Sequence, residues 1–314
     1  MYEYAKIAIL GGTGFLGKNL AERLKSKGYR RVIDWIGSKH YDLTYTNDVS
    51  RFFKEQNPDI VINCAGHVGG IQANMAAPGD FFWKNMLICG NVINESYKYG
   101  HLSKLIQVGT TCSYAGDVKV PTREDYLGAG LPEASNRPYG ISKLAIYYML
   151  QGYREQYGLN GIYIIPTNMI GKYDTMDESR SHVAAALIKR MYRAKRNIYP
   201  SVTIWSDGTP TRDFVDAGDV ADGIITAMET YDGADAINLG SGKEVSIREL
   251  AYYIKEVVGY EGELEFDASK PGGQRRRCLD ISRAKSILGW EPKTNIIESL
   301  TNCYNYYREN NVNT

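Results

Sequence analysis

The chain has 314 residues, 43% hydrophobic and 23% charged, enough to bury a large core as one big domain or two of moderate size. Lysine and arginine number 37 against 36 aspartates and glutamates. The net charge of +1 directs no global field at nucleic acid or an anionic membrane. Five cysteines (Cys64, Cys89, Cys112, Cys278, Cys303) are odd in number, widely spaced and free of any CxxC. That argues against a disulfide framework or zinc site and for a reducing cytoplasm. The four histidines show no metal-ligand spacing, so no metal is expected. No apolar stretch approaches the roughly 20 residues needed to span a bilayer. The first apolar run opens at Ile7 with no basic segment before it, so a secretory signal is not expected.

In chain order, β-branched runs at 6–10, 31–36, 59–63, 104–108 and 161–165 predict strands. Amphipathic stretches near 15–27, 46–55, 79–99 and 136–158 predict the helices between them. This alternation predicts an α/β fold, a Rossmann-type doubly wound parallel sheet covered on both faces. After Pro166 the pattern loosens. A helix near 181–194 precedes a strand at 202–205, and a helix–strand pair near 217–230 and 234–239 is expected to rejoin the sheet. Helices near 246–258, 282–288 and 296–309 and a strand at 263–266 complete the tail. The expected division is a cofactor-binding domain over 1–168, rejoined by 215–240. A smaller interleaved C-terminal substrate-binding lobe takes 169–214 and 241–314.

Ile7 to Leu10 run into Gly11-Gly12-Thr13-Gly14-Phe15-Leu16-Gly17, a strand, a glycine turn and a helix start. Gly12 is expected to take the turn angles, Gly14 to admit a pyrophosphate against the main chain, and Gly17 to let helix and strand pack closely. The helix N-terminus offers free N–H groups to the anion. The end of the second strand selects the cofactor. Ser38 and Lys39 suit a 2′-phosphate and hence NADPH, whereas Asp34 is an NAD-type acid if the strand ends sooner. Further on, Tyr139 and Lys143 lie one helical turn apart. A phenol beside an ammonium is a proton-transfer device, and the positive charge is expected to lower the tyrosine's pKa.

The glycine turn with Tyr-x-x-x-Lys resembles the extended short-chain dehydrogenase/reductase superfamily. Further segments resemble the GDP-L-fucose synthase family, the GDP-4-keto-6-deoxy-D-mannose epimerase/reductases. They are His67-Val68-Gly69-Gly70-Ile71-Gln72-Ala73-Asn74, Asp80-Phe81-Phe82, Lys84-Asn85 and Gly109-Thr110-Thr111-Cys112. Pro166-Thr167-Asn168, Ser181-His182-Val183, Trp205, Gly208 to Phe214 and Phe266 to Pro271 follow in the family's order. The resemblance covers nearly the whole chain. It implies a cofactor surface of Gly11, Gly12, Thr13, Gly14, Phe15, Leu16, Gly17, Ser38, Lys39, Asp42, Leu43, Ala65, Gly66, Tyr139, Lys143, Pro166, Asn168, Met169 and His182. It also implies a homodimer through the helices near 79–99 and 136–158.

Two reactions in one pocket are implied: epimerisation at C3 and C5 of a 4-keto sugar, then NADPH reduction at C4. Tyr139 donates the proton to the alkoxide, Lys143 tunes it, and Thr110 hydrogen-bonds the same oxygen. Cys112 is the implied base and His182 the returning acid. Taken singly, a free cysteine is a small buried hydrophobe and a histidine a cap or core residue; the family signature on both sides of each favours function. The dehydratases' Asp-Glu pair is absent after Thr110, where Thr111-Cys112 stands. Asn168, Arg190, Trp205, Arg212 and Lys270 are implied substrate-binding residues, Lys270 in a loop that closes over the nucleotide and that Arg275–Arg277 follow; on the alternative readings Trp205 packs in the core and the Arg275–Arg277 run is a solvated loop. Two loops depart from the family pattern, Met169 to Asp174 and Gly272. Both border the expected sugar nucleotide, so a related GDP-4-keto sugar is also compatible. Competing readings are a 4-keto reductase without epimerase activity, an NAD-retaining 4-epimerase and a non-catalytic cofactor sensor.

Overall fold

The computed structural model describes residues 4–175, 181–270 and 273–310. The chain runs β1 (Ile7–Leu10), α1 (Phe15–Ser26), β2 (Val32–Ile33), α2 (Thr46–Gln56), β3 (Ile60–Asn63), α3 (Ile71–Ala76), α4 (Pro78–Tyr99), β4 (Lys104–Val108), α5 (Arg137–Tyr157), β5 (Gly161–Pro166) and β6 (Asn168–Ile170). It continues α6 (Val183–Arg196), β7 (Ser201–Trp205), β8 (Thr211–Asp216), α7 (Ala217–Thr230), β9 (Ile237–Leu239), β10 (Glu244–Ser246), α8 (Ile247–Val258), β11 (Glu263–Asp267), β12 (Arg276–Arg277) and α9 (Ile296–Asn310).

Six parallel strands form the main sheet in the order β2-β1-β3-β4-β5-β9. Side chains alternate across it. Ile7 and Ile9 face a core shared with Leu20 and Leu24 of α1 and Val220 and Ile224 of α7. Ala8 and Leu10 face the opposite core, with Phe52 of α2, Val92 of α4 and Ile146 of α5. The helices expected from sequence thus cover both faces, as a doubly wound sheet requires. From β1 the chain moves to β2 on one side, then crosses to β3 on the other. Ligands of open α/β sheets bind beyond the strand ends at such a reversal.

A third core holds α6, α8 and α9 together through Leu187, Ile188, Leu250, Ile254 and Leu300, with Ile170 and Phe214 at its edge. Beside it β8 pairs with β10, β12 and β6, and β11 pairs with β7. The segment 279–290, expected in this smaller lobe, packs on the main sheet instead. Leu279 and Ile281 enter one of its cores and Ala284, Leu288 and Trp290 the other. Trp290 Nε1 donates to the Asp219 carbonyl at 3.1 Å, anchoring the tail to α7. The helix expected over 282–288 is a π-helix over Ala284–Leu288, closed by Gly289. The second strand is shorter than expected. Past Ile33 the chain leaves the ladder, with Ile36 turned into the core and Trp35 44% exposed.

Candidate active site

The glycine turn is shaped by close approach as much as by dihedral angle. Gly11, not Gly12, carries the left-handed backbone, at φ 77°. Gly12 is confined because a Cβ there would sit 2.1 Å from the Asp34 carbonyl oxygen. A Cβ on Gly17 would meet the Gly11 carbonyl oxygen at 2.2 Å, so α1 packs directly on the turn. Gly14 caps α1 with no side-chain hydrogen bond, and the first turn contains no acid. The N–H groups at this helix end are therefore free for an anion.

A cleft of about 1200 Å³ opens at this end of the sheet. Gly11, Thr13, Gly14, Phe15, Leu16, Ser38, Asp42, Leu43, Ala65, Gly66, Pro166, Asn168 and Met169 line it. Gly12 and Gly17 lie behind the lining and act by packing. Lys39 is exposed and off the cleft. Asp34 is also off it, its carboxylate paired with Lys25 Nζ at 2.5 Å. The cleft wall beyond the second strand thus includes Ser38 and not Asp34. The bare helix end, the glycine cradle and this lining fit a dinucleotide. A Cβ on Gly66 would lie 3.4 Å from Lys143 Nζ, so the Lys143 ammonium reaches the Gly66 backbone at the cleft.

Thr110, Cys112, Tyr139, Lys143 and His182 all line the same cleft. Thr110 follows β4; its hydroxyl accepts from the Cys112 backbone N–H at 3.3 Å and also hydrogen-bonds Tyr139. Proline in its first turn starts α5, and Gly140 lets that turn approach the Cys112 carbonyl, where a Cβ would be only 2.2 Å away. That approach brings Tyr139 beside Cys112. Burial pushes the Tyr139 phenol above its ordinary range, the Cys112 sulfur adds to this, and the Thr110 hydrogen bond opposes it. The lowering expected from Lys143 does not appear. The ammonium is buried and turned to Val108 O at 3.5 Å and Cys89 Sγ at 3.6 Å. The phenol is held protonated, the form a proton donor needs.

The Cys112 sulfur receives two donors, Asn136 Nδ2 at 3.2 Å and Arg277 Nη1 at 3.5 Å. Neither was singled out from sequence. Arg277, at the end of the basic run after the Lys270 loop, is a β12 residue beside β8 and not part of a solvated loop, and parallel pairing sets it opposite Arg212. Burial and the Arg277 charge push the Arg212 guanidinium down to about 10. Two guanidiniums crowded into one cleft wall favour a bound anion. His182 precedes α6, and its Nδ1 lies 3.2 Å from Asp174 Oδ1. Burial opposes the imidazolium, but the hydrogen bond and charge of Asp174 outweigh it and raise the pKa above that of an ordinary histidine. Asp174 closes the Met169–Asp174 loop, and no spacing rule marks it as a partner of His182.

Arg190 and Trp205 line the cleft, Arg190 Nη1 donating to the Thr203 carbonyl at 2.7 Å. Trp205 is 38% exposed at the end of β7, not packed in a core. Lys270 is exposed and off the lining. Gly272 lies outside the described residues. Among those residues no cluster could hold a metal ion, and no helix is long and apolar enough to cross a membrane.

Residues 7–240 match the NAD dependent epimerase/dehydratase family. The chain is 38% identical over 309 residues to GDP-L-fucose synthase 1 of Arabidopsis thaliana, covering 98% of this chain and 95% of that one. A GDP-6-OMe-4-keto-L-xylo-heptose reductase from Campylobacter jejuni superposes with a TM-score of 0.94 at 30% identity, over 99% of both chains. MlghC, a GDP-mannoheptose C4 reductase of the same organism solved with NADP bound, gives 0.88 at 31% identity, over 98% of this chain and 99% of that one. Fold, cleft and full-length similarity agree: the chain belongs to the NAD dependent epimerase/dehydratase family, among its GDP-L-fucose synthases.

Proposed function

We propose that this enzyme epimerises C3 and C5 of GDP-4-keto-6-deoxy-D-mannose, or a closely related GDP-4-keto sugar, and reduces C4 with NADPH, giving GDP-L-fucose or its counterpart. The larger sheet domain is read as the cofactor half and the α6–α8–α9 lobe as the nucleotide-sugar half. One observation carries the reading: Cys112, with Asn136 and Arg277 on its sulfur, stands beside the Thr110/Tyr139 pair in a cleft that His182 also lines.

When bound, NADPH supplies the hydride. The chain supplies everything else. Thr110 and Tyr139 are placed to hydrogen-bond the 4-keto oxygen, and so to stabilise the enolate formed when a proton leaves C3 or C5. Cys112 accepts that proton as thiolate and His182 returns one to the other face. In the reduction Tyr139 protonates the developing alkoxide. Arg212 and Arg190 are placed for the diphosphate, and the Trp205 ring for the sugar or base.

Incubation with NADPH and GDP-4-keto-6-deoxy-D-mannose in deuterated water tests this. Deuterium at C3 and C5 with one NADPH oxidised per product is expected, and no deuterium would sink the epimerase half. Two solved neighbours are named as reductases, which favours a second reading, reduction without epimerisation. A base candidate held by two donors argues against it. The proposal includes a homodimer through α4 and α5, whose exposed aromatics Trp83, Tyr148 and Tyr157 suit burial. A monomer in sedimentation would exclude that assembly. Five free thiols suit a reducing cytoplasm.

A further inference from the structure

Asp174 lies in the loop after β6 with its side chain 1% exposed. A carboxylate removed from water needs partners. Its Oδ1 has two, the Thr175 backbone N–H at 2.8 Å and His182 Nδ1 at 3.2 Å. Its Oδ2 has none among the described residues. The imidazole is thus the charge partner of a buried acid. With Nδ1 committed to Asp174, Nε2 is the ring nitrogen left for the cleft that His182 lines. From α1 the Phe15 ring faces His182, with centroids 6.4 Å apart. His182 is also the cap residue of α6, whose positive end opposes an imidazolium. Asp174 is the charged group acting on the ring against that.

We infer that Asp174 is a positioning residue that holds His182 with Nδ1–H toward the protein and Nε2–H toward the sugar, the orientation that the donor role given to His182 above requires. This rests on the epimerase reading above. In each epimerisation the Cys112 thiolate takes the C–H proton, and the bonding pair passes to the 4-keto oxygen as enolate. The pair then returns to carbon, which takes the Nε2 proton on the other face. A thiol and a neutral imidazole remain. Water removes the one proton and restores the other, so solvent hydrogen enters through His182. The raised pKa of His182 has the sign a donor needs.

The test compares wild type, Asp174→Asn and Asp174→Glu, each shown to bind NADPH normally. Two-bond proton–nitrogen NMR of histidine-labelled protein follows His182, identified by the resonance lost in His182→Asn. The neutral wild-type ring is expected to carry its proton on Nδ1. Asp174→Asn should lower the titration midpoint by about one pH unit and slow deuterium uptake at C3 and C5 by about 10–100-fold. Asp174→Glu keeps the charge and should hold the midpoint near wild type. An unmoved midpoint and tautomer in Asp174→Asn overturns the pairing alone. Wild-type protein that takes up no deuterium overturns the epimerase reading and the donor role with it.

Discussion

At the scale of single residues, two chemistries divide the cleft. Tyr139→Phe removes the proton donor but not the fold around it. Reduction should fall by about 10²–10⁴-fold, with NADPH affinity nearly unchanged by fluorescence titration; normal turnover would remove Tyr139 from the mechanism. Cys112→Ser keeps a donor–acceptor group without a thiol's acidity. It should slow deuterium uptake far more than hydride transfer to a pre-epimerised substrate, and equal slowing of both would contradict the division of labour. The pH dependence has a definite sign. His182 must be protonated to donate, and Asp174 raises its folded-state pKa. On the alkaline side epimerisation should therefore fall as pH rises through that raised pKa, read as exchange rate against pH. The tyrosine–lysine pair was visible from spacing alone. The effect of Lys143 on the phenol was not, because it depends on where the ammonium points.

At the scale of elements, backbone contacts place the chemistry. The first turn of α5 meets Cys112 through Gly140, and the glycine turn meets the second strand through Gly12. A methyl at either site faces a backbone oxygen that cannot swing away. Gly12→Ala should weaken NADPH binding by about tenfold or more and destabilise the fold by about 1–3 kcal/mol, the range of overpacked sites. Gly140→Ala should lower turnover with NADPH affinity retained. Calorimetry and titration check both, and a stable Gly12→Ala with normal affinity would refute the close-approach argument. Long amphipathic helices and β-branched strands were readable because their periodicity is local. The three-residue strands β6 and β10 and the two-residue β12 were not, since such pieces are strands only by pairing with β8.

At the scale of the whole molecule, buried polar ties join distant segments. Lys104, 1% exposed at the start of β4, donates to the Met228 and Tyr231 carbonyls at the end of α7 and pairs with Asp232 at 2.9 Å. Lys104→Met leaves those carbonyls without their donor and should cost about 2–4 kcal/mol; denaturant unfolding within 0.5 kcal/mol of wild type, roughly the surface-substitution range, would show the tie to be dispensable. Gln274 Nε2 donates to the Gly116 carbonyl at 3.0 Å and Gln274 Oε1 accepts from Arg277 Nε at 3.0 Å, while Arg277 Nη1 reaches Cys112 Sγ. The C-terminal segment thus completes the surroundings of a residue in the first half of the chain.

Local pattern alone specifies the sheet-and-helix alternation, the glycine turn and the tyrosine–lysine pair. Each is written in neighbouring residues, through a period of two, a period of 3.6 or a short motif. Tertiary structure decided which groups surround the two proton carriers. Asn136 and Arg277 meet Cys112 across 24 and 165 residues of chain, and Asp174 meets His182 across 8. It also decided that Lys39 and Lys270 stay off the cleft and that 279–290 packs on the main sheet. Such contacts are set by how strands register and helices pack, and no local pattern encodes them.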